Sequence, residues 1–257
     1  MTIQKFQPSA VLAPFVSALI IIESELEALN KTIPDTTMVM SFRYKGNVMR
    51  MEGERPETLF SSNVAGIRKT VRHFHYDNNT GNLLVIFKAG GFNAFSGIPA
   101  HELFGLNVEA GNFFQPTELD EILERLHAAP SNDVRVQIIE SILTNRLIIR
   151  KPDLMVKKAI QIIQSHIGMI RIKDLAATLS SSQDSFEKRF RAQVGCSPKQ
   201  FASIVRLRNV INNFQSFSSL TELAYAAGYF DQSHFIKDFR LFTGQAPKDF
   251  FKSSGYW

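Results

Sequence analysis

The hydrophobic positions of this chain change period once. Before about residue 115 they come as short runs and alternations cut by polar turns; after it they recur every three or four residues. The first pattern is that of strands and the second that of amphipathic helices. A loop around Pro8 and Pro14 leads into the apolar run Phe15 to Ile22, read as a strand. Ile33-Pro34-Asp35 reads as a turn. Met38 to Met51 (MVMSFRYKGNVMRM) is β-like, with a turn at Lys45-Gly46-Asn47. Asn63 to Tyr76 fits another strand pair, Asp77 to Gly81 a turn, and Leu83 to Lys88 (LLVIFK) a short buried strand. Gly90-Gly91, Gly97 and Pro99 mark loops. Short strands at this spacing predict a small antiparallel barrel or sandwich.

Helices follow. Pro116 and Thr117 open TELDEILERL, apolar at Leu119, Ile122, Leu123 and Leu126 and acidic in its first turn. A second helix is predicted from Asn132 to about Ile149, apolar at Val134, Ile138, Ile139, Ile142, Leu143 and Leu147. Its apolar face can pack on its own barrel, pair with a second subunit, or do both. Lys151-Pro152-Asp153 breaks it and sets a boundary between residues 1–150 and 151–257. The fold class is therefore α+β, an antiparallel barrel or sandwich plus helices followed by an all-α domain.

The richest stretch is Leu223 to Phe250, LAYAAGYFDQSHFIKDFRLFTGQAPKDF. Leu223, Ala224 and Ala227 share a helical face, Gly228 permits a tight turn, and Asp231 stands where an N-cap belongs. Phe235, Phe239 and Phe242 then form one apolar stripe, Gly244 stops the helix, and Pro247 suits the first turn of a short last one. Helix, tight turn, helix is the unit that lays its second helix in the DNA major groove.

The stretch occurs twice. Phe186, Phe190, Gly195, Pro198, Lys199 and Phe201 stand 49 residues before Phe235, Phe239, Gly244, Pro247, Lys248 and Phe250. Lys188 and Arg191 answer Lys237 and Arg240, and Ser182 answers the cap Asp231. Upstream, Leu175-Ala176 answers Leu223-Ala224 with a one-residue difference in the turn. Two units are thus expected at about 172–193 and 220–242, with a helix from Pro198 to roughly Gln215 holding them at fixed separation. The Phe residues are core positions.

Charge agrees with this division. Residues 151–257 hold 15 Lys and Arg against 8 Asp and Glu, whereas the remainder holds 14 against 16. The basic excess lies in the half with the helix pairs, as phosphate binding requires. No apolar run of about 20 residues exists, so no membrane span is expected. Val11 to Ile22 is too short and lacks the flanks of a signal peptide. One cysteine, Cys196, excludes an intrachain disulfide, and a cytoplasmic protein is expected. Cys196 reads as a small packing residue.

The sequence resembles the AraC-type family of bacterial transcription regulators. Its signature runs from Ala224 through Gly228, Tyr229, Asp231, Ser233, His234, Phe235, Lys237, Phe239, Arg240 and Gly244 to Pro247, and the resemblance spans about Asp153 to Phe251. It implies a DNA-binding domain whose two recognition helices enter successive major-groove segments. The first half is similar, more loosely, to the sensing domain of one branch of that family. The carrying segments are Ile33-Pro34-Asp35, VAGIRKTVRHFHY and LLVIFKAGGFNAFSGIPAHEL. That implies a cupin-like β fold followed by helices, serving an effector or dimerisation. Family members commonly dimerise through this half, so a homodimer, an unknown small-molecule effector and RNA polymerase join promoter DNA as implied partners.

Base-reading residues are expected at Gln183, Asp184, Glu187 and Lys188 in the first unit and at Gln232, Ser233, Ile236 and Lys237 in the second. Gln and Lys can bond adenine and guanine edges, Ile a thymine methyl, and Asp or Glu cytosine N4. Asp184 and Glu187 can instead serve as first-turn charges, with Glu187 paired to Arg191. Phosphate contacts are expected at Arg191, Lys199, Arg240 and Lys248. His234 is expected on the inward or edge face. Ser180 stands where the family often has glycine, which predicts a looser first turn, and Ala246 replaces a Ser cap before Pro247.

Other chemistry is thin. His73 and His75 share a strand face and His101 follows, a set that could hold a divalent metal in a barrel. Half-buried or surface histidines are the plainer reading, and neither a metal nor a cofactor is expected. No phosphate-binding glycine loop or nucleophile elbow is present, so the chain is not read as an enzyme. Arg68, Lys69 and Arg72 could bind an acidic effector but are read as facing water. The alternative is a metal-dependent cupin-type enzyme domain fused to a DNA-binding domain; a third is an adaptor that lost DNA binding.

Overall fold

Val16–Ser24 (VSALIIIES) is apolar on both faces, and its place in the structure explains why. The computed structural model describes residues 1–52, 55–148, 151–217 and 219–252. The strands among them are β1 (Thr2–Phe6), β2 (Val16–Ser24), β3 (Ala28–Thr32), β4 (Met38–Lys45), β5 (Val48–Glu52), β6 (Arg55–Thr58), β7 (Ser62–Ala65), β8 (Arg72–Tyr76), β9 (Thr80–Phe87) and β10 (Asn107–Glu109). They form two antiparallel sheets, one in the order β1-β2-β9-β4-β7-β10 and one in the order β3-β8-β5-β6. Strand β2 is interior to the larger sheet. Leu19 and Ile21 face the helices, while Ile20 and Ile22 face the smaller sheet and pack with Val48, Phe74, Tyr76 and Leu84. This is the expected antiparallel β fold of the first half.

The turn at Lys45-Gly46-Asn47 does not close a hairpin. It is a corner: β4 bonds to β7 and β9 in one sheet, and β5 to β6 and β8 in the other. Gly46 has φ of 66°, and a Cβ there would lie 2.6 Å from Thr80 Oγ1. The pair read over Asn63 to Tyr76 is likewise split, β7 in one sheet and β8 in the other. The expected strand at Leu83 begins earlier, at Thr80.

Helices α1 (Pro116–Ala128) and α2 (Asn132–Asn145) cover the outer face of the larger sheet. Leu119, Ile122, Leu126, Ile139 and Leu143 join Met40, Phe42, Leu83, Val85 and Phe87 in one core. Each such side chain contributes about 1.5–3 kcal/mol on burial. Helix α2 is shorter than expected. At Arg146 the chain leaves the helix; its guanidinium bonds Glu118 Oε1 at 3.0 Å and the Phe113 carbonyl at 2.9 Å and lies over the Phe114 ring. Ile149 lies outside the described residues.

The rest is helical: α3 (Leu154–Ser165), α4 (Ile172–Thr178), α5 (Gln183–Val194), α6 (Pro198–Asn213), α7 (Leu220–Ala226), α8 (Gln232–Thr243) and α9 (Pro247–Phe250). Asp153 caps α3 by accepting from Met155 and Val156 N–H and also pairs with Arg189 on α5 at 2.7 Å. Helix α6 ends two residues before its expected limit, in a 3-10 turn over Phe214–Ser216.

The two halves touch directly. Arg208 of α6 pairs with Asp35 at 2.6 Å. Lys31 of β3 donates to Gln245 Oε1 at 2.7 Å and lies 5.0 Å from the Phe250 ring centre. Asn93 donates to the Gln193 carbonyl. Gly195 closes on a 3-10 turn, Ala100–Leu103, where a Cβ would meet the Ala100 carbonyl oxygen at 3.2 Å.

Candidate nucleic-acid interface

Two helix pairs, α4 with α5 and α7 with α8, are built by the same local chemistry. In the first, α4 ends with Ser180 N–H on the Ala177 carbonyl (2.9 Å) and Ser181 N–H on the Ala176 carbonyl (3.1 Å). In the second, α7 ends with Gly228 N–H on Tyr225 and Tyr229 N–H on Ala224, both at 2.9 Å. Ser180 holds φ of 52° and Gly228 φ of 72°. The first turn is therefore as tight as the second, contrary to expectation. The missing glycine shows as backbone strain, which for an L-residue in this region costs about 1–2 kcal/mol.

Both second helices are capped and stopped alike. Ser182 Oγ accepts from Ser185 N–H at 3.3 Å, and Asp231 Oδ1 accepts from His234 N–H at 2.7 Å. Gly195 (φ 98°) and Gly244 (φ 73°) then take the left-handed conformation and donate back to Arg191 and Arg240 carbonyls. Helix α6 opens with a complete capping box between Ser197 and Gln200. Its counterpart α9 has Ala246 in that place and no side-chain cap.

Phenylalanine rings fix each second helix on its scaffold. Phe186 meets Phe190 at 5.7 Å, and Phe235 meets Phe239 at 5.6 Å. Helix α6 spans the two units. Its Ile204, Leu207 and Ile211 share the core with Leu223, and Arg206 lies 4.5 Å over the Tyr229 ring. Burial pushes the Tyr229 phenol up to about 12. Cys196 is buried, with its thiol pushed up to about 12 by the same cause, as a packing residue should be.

With the Phe faces inward, the other faces are open. Gln183, Asp184 and Lys188 are exposed on α5 and Glu187 is half-buried; Ser233 and Lys237 are exposed on α8 and Gln232 and Ile236 are half-buried. Arg191, Lys199, Arg240 and Lys248 are all exposed. Glu187 does not pair with Arg191. Its Oε1 accepts from Gln183 Nε2 at 2.9 Å, one turn back on the same helix. Gln232 Oε1 accepts from the Thr221 hydroxyl of α7 at 2.9 Å. His234 is exposed, with its ring edge-on to Tyr229 at 5.3 Å, so it occupies the edge rather than the interior.

The histidines of the first half do not converge. His73 is exposed on β8, His75 sits between Glu27 (3.7 Å) and Asp77 (3.3 Å), and His101 is exposed on the 3-10 turn. Among the described residues no group of three or more His, Cys, Asp or Glu is placed to hold a metal. Arg72 is buried and Arg68 is half-buried, so neither is the freely water-facing residue expected. Arg68 donates to Thr32 Oγ1 at 2.7 Å and to the Thr70 carbonyl at 3.0 Å, and buried Arg72 donates to the Gly105 carbonyl at 2.6 Å. Burial, then the neighbouring Arg72 and Arg208, push Arg68 down to about 9. Sequence reasoning saw these residues as a surface set because their carbonyl partners carry no pattern.

A cleft of about 910 Å³ lies between the halves, walled by Phe15, Lys88, Ile98, Leu147, Lys157 and Ile160. Among the described residues no helix is long and apolar enough to cross a membrane.

Comparison with known proteins follows the same division. Residues 175–253 match a family described as a helix-turn-helix domain, and residues 4–109 match a domain of unknown function (DUF6597). A search of curated proteins found no match. Among solved structures, ToxT from Vibrio cholerae is similar with TM-score 0.47 and 12% identity, over 99% of this chain and 100% of that one. The C-terminal domain of AraT, a response regulator from Geobacillus stearothermophilus, is similar with TM-score 0.38 and 20% identity, over 42% and 92%. An AraC-type regulator from Chromobacterium violaceum gives 0.35 and 20%, over 37% and 88%.

Proposed function

We propose that the C-terminal part of this chain, which matches a helix-turn-helix domain over residues 175–253, is of the AraC type, and that the protein is a transcription regulator reading two successive major-groove segments of promoter DNA with α5 and α8. The observation that carries this reading is the repeat: two capped helices of equal length, each fixed by its own Phe set and each presenting an open polar face. In this reading Gln183, Asp184, Glu187 and Lys188 reach bases from α5, and Gln232, Ser233, Ile236 and Lys237 from α8. Arg191, Lys199, Arg240 and Lys248, equally spaced in the two units, take phosphates.

The first half, residues 1–150, is the regulatory part. It holds both units and the helix between them, through Gln193, Arg208 and Gln245. A small molecule in the cleft of about 910 Å³, or a second copy of the chain, acts by shifting those contacts. The protein works in the cytoplasm, without enzymatic activity, and RNA polymerase is its downstream partner. Hydroxyl-radical footprinting on a selected duplex tests the geometry. Two protected patches on one face, about 34 Å apart, are expected; a single patch shows that one unit reads alone.

A further inference from the structure

Phe230 is 87% exposed, beside the start of the helix that faces DNA. The internal repeat shows that the fold does not need it. From α4 to the Ser182 cap the first unit runs Leu179, Ser180, Ser181; from α7 to the Asp231 cap the second runs Ala227, Gly228, Tyr229, Phe230. The turn hydrogen bonds are the same in both units and end at Ser181 and Tyr229. Phe230 is the one extra residue. Among the described residues it stacks on no ring, whereas its neighbour Tyr229 meets His234, Phe235 and Arg206.

Its position is specific. Phe230 precedes the N-cap and stands three residues before Ser233, at the N-terminal end of the outward row Ser233, Lys237 and Arg240. In a helix-turn-helix unit the N-terminal residues of the second helix are those that reach base edges. An exposed ring there meets the apolar parts of a duplex, which are the thymine C5-methyl groups in the major groove and the deoxyribose rings at its edge.

We infer that Phe230 is a DNA-contacting residue that packs its ring on the apolar edge of the segment read by α8. This rests on the regulator reading and adds a contact that polar matching leaves out. It also makes the two units unequal, since α5 has no such ring.

The test uses the full-length protein, its Phe230→Ser and Phe230→Leu variants, and a duplex selected by the wild type from random sequence. The Ser variant is expected to melt at the same temperature as wild type and to bind about tenfold more weakly, with the Leu variant in between. Replacing each thymine by uracil then separates the two contacts. A methyl contact makes one uracil weaken wild type and leave Phe230→Ser unchanged; a sugar contact makes the loss equal for every sequence. Either supports the inference. Binding by Phe230→Ser within twofold of wild type, at equal melting temperature, overturns it and leaves the ring to a protein partner. If the wild type itself enriches no duplex, the regulator reading fails, and this inference with it.

Discussion

The Phe239 and Phe250 rings meet edge to face at 5.2 Å and 83°, and 49 residues earlier Phe190 and Phe201 do the same at 5.5 Å and 78°. One ring of each pair belongs to α5 or α8 and the other to α6 or α9, the helix that follows it. The pair sets the height and tilt of the second helix of each unit.

All four rings are essentially inaccessible to solvent. Phe190→Ala and Phe239→Ala should each lose about 3–5 kcal/mol, as removal of a buried aromatic does. Chemical denaturation of the two variants measures this. A loss under 1 kcal/mol would mean that the helices are placed by something else.

The turns give a paired prediction. Ser180→Gly removes left-handed strain and should add about 1 kcal/mol. Gly228→Ala introduces that strain and puts a Cβ 3.0 Å from Met169 Sδ, so it should cost at least as much. Thermal melting that moves both variants in one direction would contradict the equivalence of the turns.

Helix α9 lacks the cap that α6 has. Ala246→Ser should stabilise the last turn by about 0.5–1 kcal/mol, with slower amide exchange at Asp249 and Phe250. Exchange rates that do not change would show that the turn is held by Phe250 packing alone.

Much of this was legible in the sequence, and the reason is local. The caps Ser182 and Asp231, the stop residues Gly195 and Gly244, and the Phe stripes act within one or two turns of chain, so spacing reveals them. What spacing could not give is long-range. Arg208 pairs with Asp35, 173 residues away, Arg68 bonds the Thr32 carbonyl of β3, and Arg72 bonds the Gly105 carbonyl in the turn before β10. Which sheet each strand enters was equally hidden, because the corner at Gly46 has the composition of a hairpin turn. For Glu187 charge alone offers Arg191 as a partner, yet the nearer amide of Gln183 donates to it instead.

The two cations of α8 should separate reading from holding. Lys237→Ala should relax preference at one or two base pairs by about 1–3 kcal/mol. Arg240→Ala should weaken all sequences alike and flatten the salt dependence by about one unit of slope. If Arg240→Ala instead changes sequence preference, the phosphate assignment is wrong.

The central claim is that two units in one chain read DNA. The most direct measurement is selection of random duplexes by the purified full-length protein at two salt concentrations. The account predicts a recovered motif of two blocks about one helical turn apart, with affinity falling as salt rises. No enrichment at either salt would contradict it.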